Sequence, residues 1–166
     1  MSAFRLSALA ALALVAQFAA AQAQGMQVGF GGLRQDPSAP VEVTADSLTV
    51  DQAKGGATLA GNVLVVQGDM RLAAKQVDVT YGADGQGIEH IHATGGVTLA
   101  TKAEAAEAAE ATYVISTGAL VMTGAVLLTQ GNAPMAGERL TADLRAGPGQ
   151  MEGRVKTTFT PNKAAN

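Results

Sequence analysis

Two histidines flank Ile91 in the run Glu89-His90-Ile91-His92, so in an extended strand His90 and His92 point to one face. Two imidazoles on one face are half of a metal site. A zinc site needs a third and usually a fourth ligand converging on the ion. The chain offers no Cys, no further His and no acidic cluster on that face. These histidines therefore read as exposed strand residues. Asp46 and Asp51 are the next candidates, as paired carboxylates for proton transfer, yet both stand at the ends of strand-like runs, where Asp serves turns. Gly95-Gly96 reads as a turn. There is no G-x-S-x-G, no glycine loop built to cradle phosphate and no Ser-His-Asp signature. The expectation is a protein that is not an enzyme and that uses neither metal nor cofactor.

The elements that carry these residues follow a leader. MSAFRLSALAALALVAQFAAAQAQ has one basic residue, Arg5, then an apolar run from Leu6 to Phe18, then Ala21-Gln22-Ala23. That is the layout of a signal peptide cleaved after Ala23, and the run falls short of the roughly 20 residues a membrane span needs. Residues 1–23 are thus expected to be removed. The loss takes one of the 11 basic residues and none of the 14 acidic ones, so the mature chain is one charge more negative than the −3 of the whole. A mildly acidic chain with scattered charges does not suit nucleic acid, which wants a basic face. Export without any Cys means a fold held by core and strand ladders alone, as suits a soluble periplasmic protein. Residues 24–40, rich in Gly and ending in Pro37-Ser38-Ala39-Pro40, read as a flexible linker.

From Val41 the texture is that of strands. Val41-Glu42-Val43-Thr44, Val77-Asp78-Val79-Thr80-Tyr81, Val97-Thr98-Leu99 and Leu140-Thr141-Ala142-Asp143-Leu144 alternate apolar and polar residues. Val155 to Phe159 closes the set, and Gly-, Asn- and Asp-containing turns fall between the runs. The pattern predicts an all-β sandwich or barrel over 41–160, with 161–166 as a disordered tail. Thr101 to Thr112, TKAEAAEAAEAT, is made of helix formers and reads as a short helix or a solvated connection between strands.

The chain also repeats itself. GNVLVVQGD from Gly61 returns sixty-three residues later as GAVLLTQGN from Gly124, and a weaker middle copy begins at Gly95-Gly96-Val97. One such unit cannot bury its own apolar face, whereas a row of units can. Alternation gives the rolled sheet one apolar inner face: Val41, Val43, Val63, Val65, Val77, Val79, Leu99, Tyr113, Ile115, Leu120, Met122, Val126 and Leu128. After the leader there are only two Phe, two Tyr and no Trp. Small side chains between two sheets can leave room for an apolar guest.

Three segments carry a family resemblance. Pro40 to Asp46, Leu59 to Gly68 and Ala73 to Val77 resemble the OstA-like family of periplasmic lipopolysaccharide-transport proteins. The likeness continues through Ala109–Tyr113, Leu120–Val126, Ala136–Leu140 and Arg154–Pro161. The resemblance implies an open, twisted β-jellyroll of antiparallel hairpins whose apolar groove carries the acyl chains of the lipid A part of lipopolysaccharide. It implies lipid contact at Val41, Val43, Leu99, Tyr113 and Ile115. It also implies head-to-tail self-association into a bridge between an LptC-like inner-membrane protein and an LptD-like outer-membrane protein. Unpaired sheet edges would supply the joints, expected at Val41–Thr44 and Arg154–Phe159. A membrane-anchored LptC-type domain and an edge-assembling architectural β-protein without lipid are the competing readings.

Overall fold

In the computed structural model, residues 26–29, 40–53, 55–83 and 87–158 are described. They form eleven strands and no helix: β1 Met26–Gly29, β2 Val41–Thr44, β3 Ser47–Asp51, β4 Gly56–Gln67, β5 Met70–Tyr81 and β6 Ile88–Ala100. There follow β7 Glu104–Val114, β8 Ala119–Gln130, β9 Ala133–Asp143, β10 Pro148–Glu152 and β11 Lys156–Thr157. All belong to one antiparallel sheet in the order β1-β10-β9-β8-β7-β6-β5-β4-β2. β3 lies beside β2 on the same flank of β4, and β11 beside β10 on the same flank of β9. From β4 to β9 each strand simply follows its predecessor, as hairpins in a row must. The leader with Ala23, the tail 161–166 and Phe159 lie outside the described residues.

The long strands are not straight. Every ladder from β4 to β9 shifts register near its middle: between Ala60 and Val63, Ala73 and Gln76, Thr94 and Val97, Glu107 and Glu110, Thr123 and Val126. Bulges bend a strand, and bulges in line make a crease across the whole sheet. The crease has a sequence signature. Gly61-Asn62-Val63, Gly95-Gly96-Val97, Gly124-Ala125-Val126 and Gly153-Arg154-Val155 each place two successive residues at positive φ, for example 84° and 52° at Gly124 and Ala125. The valine that follows re-enters the interior: Val63, Val97 and Val126 are buried, and Val155 packs against the core. The repeat is therefore fourfold. Gly95-Gly96 is such a crease inside β6, not a turn between strands.

Folding along this crease lays one half of the sheet over the other. Met122 and Leu140 on one side of it, and Leu99 and Leu128 on the other, are all buried to 2% exposure or less. With no helix to cover them, only the opposite half can do so. The result is the open jellyroll expected from the sequence.

The Glu-Ala segment corrects the helix-or-loop expectation. It is β7, a central strand between β6 and β8. Ala106, Ala108, Ala111 and Tyr113 face inward and are buried, while Glu107 and Glu110 are exposed. Glu107 and Glu110 stand on either side of the register shift at the crease, where the extra residue belongs to β8, and both are exposed although three residues apart. Tertiary pairing on two sides overrides helix propensity. A second correction concerns 24–40, where Met26–Gly29 is not linker but an edge strand paired with β10.

Candidate functional site

Cross-strand pairs assemble the inner face into rows perpendicular to the strands. One row runs Val50, Ala57, Val79, Ile91, Tyr113, Leu120, Ala142, and the next Leu48, Leu59, Val77, Ala93, Ala111, Met122, Leu140, Met151. Beyond the crease a third runs Val43, Val65, Leu72, Leu99, Ala106, Leu128, Met135. In the middle of each row the side chains are buried. At the β2/β3 end they are not: Val41 is 55% exposed, Val43 46%, Leu48 63% and Val50 57%. Alternation and register put these four on the face that is the core elsewhere. They stand open because β2 and β3 are edge strands with no further strand beyond them among the described residues. The candidate site is this pair of apolar lips, continuous with the core behind it. An open concavity of about 580 Å³ lies at its outer corner, bounded among others by Val50, Gly56 and Tyr81.

Of the residues picked from the sequence, Val63, Val77, Val79, Leu99, Tyr113, Leu120, Met122, Val126 and Leu128 are buried inside, and Val65 and Ile115 are half-buried against them. Val41 and Val43 share their face but not their burial, because they form the lip. Leu48 and Val50 were missed. Their run, Ser47 to Asp51, alternates Thr with Leu and Val, which was the available signal. The small inner residues Ala93, Ala106 and Ala111 escaped because Ala carries little periodic contrast. Of the expected joints, Val41–Thr44 is an edge strand as read. At the other end the edge strand is Lys156–Thr157, while Arg154 sits at the crease with a φ of 39°.

Polar groups close the free ends of the strands. Gln67 is buried at the end of β4. At the end of β8, Gln130 Nε2 lies 3.1 Å from Glu104 Oε1 and donates to the Gly29 carbonyl at 2.5 Å. Gln130 belongs to the half-sheet containing β11 and Gly29 to the half containing β10, so this bond crosses the mouth of the fold. At the turn from β9 to β10, Asp143 Oδ1 accepts the backbone N–H groups of Arg145 and Ala146. Those two bonds lower its pKa. Arg145 in turn donates to the Ile115 and Ser116 carbonyls. Burial raises the pKa of Tyr113, which keeps that inner ring neutral.

The chemically suggestive residues lie elsewhere. His90 and His92 are exposed on the outer face. His92 sits 3.7 Å from Glu110 and faces Asp78 across the strand pair, so acidic groups do accompany it. Among the described residues, no three metal-ligating side chains gather. Asp46 serves a turn, its N–H donating to the Gly61 carbonyl and its carboxylate accepting from Asn62 Nδ2 at 2.8 Å.

Residues 42–147 match the family profile described as LptA/(LptD N-terminal domain) LPS transport protein. The chain belongs to this LptA/LptD N-terminal family of lipopolysaccharide-transport proteins. A curated relative, an uncharacterized protein of Rhizobium meliloti (strain 1021), is 29% identical over 174 residues, spanning 95% of this chain and 92% of its own. Among solved structures, LptH of Pseudomonas aeruginosa superposes with a TM-score of 0.68 at 19% identity, over 76% of this chain and 99% of that one. LptH is the LptA-homologous periplasmic component of that organism's lipopolysaccharide transport device. At that identity the likeness establishes the LptA-type fold.

Proposed function

We propose that this LptA-family chain is a periplasmic bridge subunit. It shields the acyl chains of lipopolysaccharide in its apolar interior as the lipid passes from the inner to the outer membrane. The observation that carries this reading is the exposure of Val41, Val43, Leu48 and Val50 on the face that elsewhere is core. Each buried methylene contributes about 0.8 kcal/mol, so an acyl chain of about a dozen carbons crossing water unshielded faces a barrier of order 10 kcal/mol. An apolar interior reached through an apolar lip removes that barrier without chemistry in the protein.

The same edge offers backbone groups of β2 and β3 that, among the described residues, no strand pairs from outside. Such edges template strand addition. In this reading the neighbours are further copies of the chain, stacked head to tail. An LptC-like inner-membrane protein and an LptD-like outer-membrane protein stand at the two ends. Residues 1–23 act as a leader cleaved after Ala23, which delivers the chain to the periplasm. No step of this role calls for catalysis or a cofactor.

The test is binding of purified lipopolysaccharide to the parent and to Val43→Asp and Leu48→Asp. Both residues are exposed, so an Asp there costs the fold little. The reading expects each variant to lose most of the binding. Full binding by both variants, with the fold intact, would overturn it in favour of an architectural β-roll.

A further inference from the structure

We propose that β1 is a built-in cap on the assembly edge: the chain's own N-terminal strand occupies the place on β10 that a second copy needs for end-to-end extension, and it must leave for that extension to occur. The proposal rests on the head-to-tail reading above and adds a control step to it.

Strand order carries it. At one end of the fold both half-sheets finish level, one strand beyond β4, with β3 on one half and β2 on the other. At the opposite end β9 is flanked the same way, by β10 along Arg139–Ala142 and by β11 along Met135–Ala136. β1 breaks the match by adding one strand to the β10 half alone. Neighbouring strands lie about 4.8 Å apart. A second copy offering its level β2/β3 edge therefore meets β1 one strand spacing before it reaches β11. It can extend one half-sheet and not the other. Without β1 both halves are level and both can be extended, which also makes the apolar lips of one copy continuous with the interior of the next.

The hold on β1 is slight, as a removable cap requires. The strand has four residues, and its Met26, Gln27 and Gly29 are exposed. Among the described residues it is held to the other half-sheet by the bond from Gln130 Nε2 to the Gly29 carbonyl. Glu104, which shares Gln130, keeps its Oε2 buried without a hydrogen-bond partner, so the clasp is imperfectly satisfied and gains little net energy.

Sedimentation velocity over a concentration series tests the cap. It uses the chain purified from the periplasm of a Gram-negative host, a variant lacking residues 26–29, and the double variant Gln27→Cys/Gln150→Cys. Positions 27 and 150 face each other across the β1–β10 pair, so oxidation locks the cap in place. The deletion should form chains at a concentration roughly tenfold or more below the parent. The oxidised double variant should stay monomeric, and reduction should restore parental behaviour. Equal association by the parent, the deletion and the locked form would overturn the cap and leave head-to-tail assembly standing. Failure of even the uncapped form to associate would overturn the assembly reading itself.

Discussion

A Cβ added to Gly124 would lie 2.6 Å from the Cβ of Ala109 on the neighbouring strand. Gly95 stands in the same relation to Lys75, and Gly153 to Glu138. The crease is thus built from a repeated close approach, with glycine on one strand and a side chain on the next. Gly124 also carries a φ of 84°. Gly124→Val should destabilise the fold by about 2–3 kcal/mol in urea titration, through clash and backbone strain together. Gly131→Ala, also at positive φ but facing open space, should cost about 1 kcal/mol. Equal losses at the two sites would mean that the close approach is unimportant.

Ala125 holds the second crease position at a φ of 52°, where a β-carbon is unfavourable. Ala125→Gly should leave stability unchanged or raise it by up to about 1 kcal/mol. A loss of about 1 kcal/mol, as for glycine placed in an ordinary strand, would contradict the assigned backbone.

Inner residues separate packing from proposed function by position. Leu140→Ala, at a fully buried position of the same row as Leu48, should cost about 2–5 kcal/mol. Leu48→Ala, in the next-to-outermost row at the lip, should change stability by no more than about 0.5 kcal/mol and should weaken lipopolysaccharide binding. A large stability loss at Leu48 would mean the lip is closed in solution.

Acid should act through two aspartates. Thr58 Oγ1 donates to Asp78 Oδ1 at 2.6 Å, and this bond, with help from Gln76 and His92, lowers the Asp78 pKa. Asp143 is lowered by the N–H groups of Ala146 and Arg145. A carboxylate with a depressed folded pKa contributes stability above its unfolded pKa and loses it as pH falls through the folded value. Stability should therefore hold down to about pH 4 and fall below the reference value of 3.8, with a shallower acid limb in Asp78→Asn. Denaturation midpoints measured from pH 2 to 7 give the curve. A main loss between pH 5 and 7 would point to other groups.

Much of this was readable in the residues. The Gly-x-Val recurrence announced a row of hairpins, and alternation named most of the buried face. The fourth copy, Gly153-Arg154-Val155, was hidden because Arg154 resembles neither Asn62 nor Ala125 in type, although all three share one backbone conformation. β7 was hidden because alanine and glutamate favour helix locally, and only pairing with β6 and β8 makes them a strand. β1 was hidden because its partner β10 lies more than a hundred residues away. Exposure at Val41 and Val43 depends on what fails to cover an edge, which no local pattern records.

The central claim is that the inward side of the β2/β3 edge meets lipid. A photo-crosslinking amino acid at Leu48, compared with the same residue at Thr49, tests it in a Gram-negative cell. The two positions are adjacent and exposed, and they point to opposite faces of β3. The account predicts lipopolysaccharide adducts at Leu48 and none at Thr49. Adducts at neither position, or equally at both, in protein that is folded and exported would contradict it.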